Sequence, residues 1–111
     1  MTTQPVEEAP EQAERRDHPR KKFDAKIEIE WGAAVLTGTV RDIGAAGLFV
    51  ELIPPLWLGA AFRARLILNP ELALDCTVVR VEPSGGMAVT YQVTEDGREQ
   101  LEKLLAGLAL A

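Results

Sequence analysis

Hydrophobic and polar positions alternate through the middle of this chain with the period of a β-strand. Lys26-Ile27-Glu28-Ile29-Glu30-Trp31 sets Ile27, Ile29 and Trp31 on one face and the charges on the other only if successive side chains point to opposite sides, which predicts a half-buried strand. Gly32-Ala33 predicts a turn into a second strand, Val35 to Arg41. Asp42-Ile43-Gly44-Ala45-Ala46-Gly47 interrupts the pattern, and Leu48 to Leu52 resumes it. Pro54-Pro55 cannot donate to a ladder and marks a connection, Phe62 to Leu68 alternates again, and Asn69-Pro70 signals the next turn. Two more strands follow, Leu74 to Val81 and Gly86 to Gln92, around the turn at Pro83-Ser84-Gly85-Gly86. Short strands at this even spacing predict an antiparallel all-β barrel or sandwich of six strands, because closing the sheet removes edges that would otherwise aggregate.

The period then changes. Thr94 suits a cap, Glu95 and Asp96 suit a first helical turn, and Leu101, Leu104, Leu105 and Leu108 recur at spacings of three and four, so the pattern predicts an amphipathic helix over about 94–110. Gly97 and Gly107 each lower its intrinsic stability by about 1 kcal/mol relative to Ala. The helix therefore has to be held by packing, with the mouth or flank of the barrel as the expected seat.

Length and composition narrow the class. With 111 residues, 47% of them apolar, there is room for one compact core and none for a two-domain enzyme. The apolar-biased stretch Leu52 to Phe62 is too short to span a bilayer and contains two prolines, so no membrane span is expected. The N-terminus lacks a basic lead and an apolar core, which reads against a secretory signal and for a cytoplasmic protein. One cysteine, Cys76, and one histidine, His18, make an internal disulfide impossible and argue against a Cys/His metal site.

The net charge of −5 conceals a segregation of signs. Residues 1–14 carry Glu7, Glu8, Glu11 and Glu14 and no base, and with Pro5 and Pro10 they read as a disordered acidic tail. Residues 15–22, Arg15-Arg16-Asp17-His18-Pro19-Arg20-Lys21-Lys22, form a basic island that reads as a flexible arm. Order is expected from Phe23, so the chain divides into tail, arm and a barrel with its helix over 23–111.

No reaction centre is visible. Ser84, the only serine, sits in a turn, His18 sits in the arm, and Gly44-Ala45-Ala46-Gly47 lacks the lysine and following helix of a phosphate-binding loop. The chain reads as a non-enzyme without metal or cofactor.

Two short motifs stand out instead: Arg16-Asp17-His18-Pro19-Arg20, just before the first strand, and Asp42-Ile43-Gly44-Ala45-Ala46-Gly47, between the second and third. In this order and position they resemble the signatures of the PilZ family, RxxxR in an N-terminal arm and [D/N]x[S/A]xxG in the early barrel, over a span from about Glu14 to Leu110. The resemblance implies a six-stranded antiparallel PilZ-type split β-barrel with a C-terminal helix, and cyclic di-GMP as ligand. Arginine forks pair with guanine O6 and N7, stack on the base or meet phosphate, and a carboxylate at Asp42 suits the guanine N1–H and N2–H edge. Gly47 would allow close backbone approach or a positive φ. Gly44 stands where the family has Ser or Ala, which removes a hydroxyl hydrogen bond. Arg15, just before the first motif arginine, accompanies an intercalated ligand pair in the family.

The expected ligand residues are thus Arg15, Arg16, Arg20, Asp42, Gly44 and Gly47, with two ligands per domain. Nucleotide binding would order the arm and present a new surface to an effector protein, the chain itself being a monomer or weak dimer. A nucleotide-independent adaptor related to motility or pili is the alternative. A single-stranded nucleic-acid binder fits less well, because the acidic barrel has few aromatics for stacking.

Overall fold

A computed structural model of the protein describes residues 20–110. The acidic tail and the larger part of the arm, Arg15 and Arg16 included, lie outside the described residues.

Six strands and one helix follow in order: β1 (Lys21–Trp31), β2 (Ala34–Ile43), β3 (Gly47–Glu51), β4 (Ala61–Leu66), β5 (Leu72–Glu82), β6 (Gly86–Val93) and α1 (Glu95–Leu110). Every neighbouring pair is antiparallel, and the sheet closes as β1-β2-β3-β6-β5-β4. Closure gives every strand a neighbour on both sides and leaves none at an edge. The expected barrel, rather than a sandwich, is what forms.

Inward positions follow the predicted alternation on β1 (Ile27, Ile29), β3 (Leu48, Val50) and β5 (Leu72, Leu74, Cys76, Val78), all buried, while on β2 the buried Val40 and Ile43 are three residues apart. Ion pairs crosslink the outer wall. Arg65 faces Glu28 at 2.6 Å, Glu30 at 3.5 Å and Glu71 at 3.8 Å, and Arg63 faces Asp75 at 3.3 Å.

One boundary differs from the sequence reading. β1 begins at Lys21, two residues ahead of Phe23, so Lys21 and Lys22 belong to the barrel and not to the arm. Their backbones pair with Ile43 and Asp42. A register shift between Lys22 and Ala25 breaks the side-chain alternation there, which is why a run of charges did not read as strand.

Helix α1 packs against β1, β5 and β6 through its leucine stripe, with Leu101 buried and Leu104, Leu105 and Leu108 partly so. Thr94 caps it: the Gly97 N–H donates to Thr94 Oγ1 at 3.3 Å. Gly97 offsets its low helix propensity by letting the helix approach the barrel, since a Cβ there would stand 2.8 Å from a Leu72 methyl.

Cys76 and Tyr91 sit opposite each other on β5 and β6 with their side chains inside the barrel. Burial, with the nearby Asp75 charge, pushes the thiol from an ordinary 9.0 up to about 12. Burial, with Cys76 beside it, pushes the phenol from 10.0 up to about 12. Both groups are held neutral by the fold, whereas the unfolded chain releases these protons above pH 9.0 and 10.0. Stability is therefore expected to be fully retained below pH 9.0 and to fall as pH rises towards about 12. Urea midpoints between pH 8 and 11 are expected to decline, and Cys76→Val to delay the onset by about one pH unit. A midpoint independent of pH, or the same onset in the variant, would contradict this account.

Candidate functional site

The second sequence motif occupies the end of β2, a short loop and the start of β3. Alternation alone would send Asp42 inward after Arg41. A register shift between Val40 and Asp42 sets both residues outside, between the buried Val40 and Ile43. The two then have different partners. Arg41 is held by Glu51 at 2.7 Å and Asp24 at 3.0 Å, and these carboxylates raise its already high pKa further. Asp42 is left to face Arg20, whose guanidinium lies 3.4 Å away across the barrel wall.

Gly47 completes this corner. Its φ is not among the positive ones, which belong to Gly32, Gly59 and Gly85, so the close-approach explanation holds and the conformational one does not. A Cβ there would stand 3.0 Å from the Val89 carbonyl oxygen and 3.3 Å from an Arg20 guanidinium nitrogen. A side chain at Gly47 would press on the Val89 carbonyl and crowd the Arg20 guanidinium. Arg20 and Asp42 are each about one-third exposed, 34% and 33%. An ion pair this accessible contributes little to stability, about 0–1 kcal/mol. Its consequence is positional: a planar donor fork and an acceptor carboxylate are presented together to solvent.

Gly44 sits beneath this corner, buried in the loop. Its N–H donates to the Gly47 carbonyl at 2.8 Å, and its own carbonyl accepts from the Tyr91 hydroxyl inside the barrel. The Tyr91 N–H also donates to the Ala46 carbonyl at 3.2 Å. Tyr91 thus fastens the loop twice, once through backbone and once through side chain. The sequence reading missed it, although a tyrosine at an inward strand position needs a buried partner for its hydroxyl.

Of the six expected ligand residues, Arg20, Asp42 and Gly47 come together on the outer wall and Gly44 lies in the loop behind them. Arg15 and Arg16 lie outside the described residues. Among the described residues no group of three potential metal ligands occurs. A groove of about 390 Å³ extends from Asp42 along the outside of β3 and β6, past Phe49 and Arg80 to Gly86.

The sequence model of one protein family, the PilZ domain, matches residues 14–107, most of the chain. The chain belongs to the PilZ domain family. Its members generally act as receptors or adaptors for cyclic di-GMP, and the matched span contains Arg16 to Arg20 and Asp42 to Gly47, the latter with Gly44 in place of the family's Ser or Ala. Two solved structures share the fold. The Bacillus subtilis inhibitor of motility (MotI/DgrA) is 18% identical with a TM-score of 0.71, over 86% of this chain and 52% of that one. The PilZ domain of CeSA from a cellulose-synthesizing bacterium is 21% identical with a TM-score of 0.63, over 82% of this chain and 98% of that one. This PilZ chain spans about half the length of the motility inhibitor. No curated protein matches the sequence.

Removing the Tyr91 hydroxyl leaves the buried Gly44 carbonyl without that donor. Tyr91→Phe is expected to destabilise the barrel by about 1–3 kcal/mol in urea denaturation. It should also speed amide exchange at Gly44 and Gly47. Unchanged stability and exchange would mean that the loop is held in another way.

Proposed function

We propose that this PilZ chain is a cyclic di-GMP receptor and adaptor, acting without catalysis of its own. The observation that carries the reading is the corner on the barrel wall where Arg20 and Asp42 stand together over the space left by Gly47. Guanine has acceptors at O6 and N7 and donors at N1–H and N2–H. A guanidinium and a carboxylate side by side can address both sets on one base, which adenine does not offer. Arginine fits where lysine would not, because the task is bidentate and planar.

The arm supplies the rest. Arg41, Arg63, Arg65 and Arg80 each face a carboxylate, so the barrel's own arginines are largely neutralised. Charge for the two phosphates then comes from Arg15, Arg16 and Arg20, with Lys21 and Lys22 at the start of β1. The nucleotide clamps residues 15–20 onto the wall and so creates a surface for an effector protein, a coupled ordering that costs about 2–5 kcal/mol of the gross interaction energy. Arg15 supports an intercalated pair of ligands, since two stacked nucleotides bring a second set of phosphates and guanines within reach of a third guanidinium. No helix among the described residues is long and apolar enough to cross a membrane, in keeping with the cytoplasmic location proposed for such a receptor. An output in motility is the analogy offered by the motility inhibitor, with which this chain shares the fold.

A nucleotide-independent adaptor is the second reading, favoured by the exposed Trp57 and Leu58 in the β3–β4 connection, 62% and 67% accessible. Calorimetric titration with cyclic di-GMP separates the two. The receptor reading expects saturable binding at micromolar concentrations or below, weakened about tenfold or more by Arg16→Ala, Arg20→Ala and Asp42→Ala, each of which removes a charged hydrogen-bonding group. Absence of binding would overturn it in favour of the adaptor. Two nucleotides per chain are expected, falling to one in Arg15→Leu. One per chain in both proteins would refute the paired-ligand part alone.

A further inference from the structure

Register pairing sets four outward residues in one row across the barrel wall: Asp42 on β2, Phe49 on β3, Ala88 on β6 and Arg80 on β5. At the usual spacing of neighbouring strands the row is about 14 Å long. It begins at the carboxylate that faces Arg20, and the groove running from Asp42 contains Phe49 and Arg80.

Phe49 is the unexpected member. Leu48 and Val50 on either side fill the barrel interior, so its ring is turned outward, where alternation calls for a polar residue. The ring lies over Gly86, where a Cβ would overlap it. Ala88, the neighbour of Phe49 on β6, is small and itself covered, 2% exposed, while the half-buried Phe49 ring lines the groove. Arg80 stands at the far end, 59% exposed and 3.2 Å from Glu82, a contact that leaves other guanidinium N–H groups available.

The groove is poorly made for phosphate and well made for a base. Its carboxylates, Asp42, Glu51 and Glu82, repel an anion but accept from the donor edge of guanine. An aromatic face beside such an edge offers stacking in addition to hydrogen bonding.

Resting on the receptor reading above, we infer that Phe49 is a ligand-binding residue: its exposed face stacks on the guanine whose donor edge meets Asp42, and Arg80 closes the far end of that base subsite.

The test is cyclic di-GMP binding to the full chain carrying Phe49→Leu or Phe49→Tyr, with thermal unfolding followed in parallel. Stacking of one base on an aromatic ring predicts about tenfold weaker binding in Phe49→Leu and near-native binding in Phe49→Tyr, which keeps the face. The upfield shift of the guanine H8 resonance on binding is expected to be smaller in Phe49→Leu than in the wild-type and Tyr proteins, where the ring adds to the stacking between paired ligands. A ring that serves only to cover Gly86 would alter unfolding in Phe49→Leu and leave both readouts unchanged. Wild-type binding that Phe49→Leu leaves within twofold overturns this inference alone. Absence of binding by the wild-type chain overturns the receptor reading and this inference with it.

Discussion

Arg41 and Asp42 stand side by side on the outside of β2, where strict alternation would have turned one of them into the core. This break in register is the constraint on which the site depends. It lets Arg41 be occupied by Asp24 and Glu51 while Asp42 remains for Arg20. A matching irregularity in β1, between Lys22 and Ala25, sets the strand's first residues beside the same carboxylate. The chain thus enters the barrel next to the motif that lies twenty residues further along. Bulges of this kind re-aim side chains while the interior pattern continues on either side.

The loop beneath the corner is fastened to the barrel. The loop at Gly44 to Ala46 is tied to Tyr91 by a hydroxyl and by an N–H, and Tyr91 stands in a closed sheet with no free edge through which the wall could open. Half of the proposed nucleotide site is therefore preorganised on rigid strands. In the proposed receptor the nucleotide would meet the ordering cost of the other half, the arm, at the moment of binding. That division suits the receptor proposed above, in which the wall would read the base and the arm would respond.

The six strands and the helix were legible because a closed barrel with one buried face needs a period of two, and a helix packed on it needs a period near 3.6. Asp42, Gly47 and Arg20 were legible because guanidinium, carboxylate and missing side chain are chemistry that residue identity alone expresses. The β1 boundary was not, because Lys21 and Lys22 pair through their backbones and their side chains carry no apolar signal. Tyr91 and Phe49 were not, because each acts across strands: Tyr91 on a loop 47 residues away, Phe49 on a glycine in β6. Such contacts follow from register, which one strand's pattern does not reveal. Gly47 was legible as a special position, but its reason, close approach to the Val89 carbonyl and Arg20 and not a positive φ, required the fold.

The central claim is that one guanine is read from two sides by Arg20 and Asp42 on a wall already in place. A crystal structure of the chain with cyclic di-GMP tests it most directly. The account predicts one guanine with its N1–H and N2–H edge on the Asp42 carboxylate and its O6 and N7 on the Arg20 guanidinium, over strands unmoved from their positions here. Nucleotide bound elsewhere on the chain, or a β2–β3 loop rebuilt to receive it, would contradict the account.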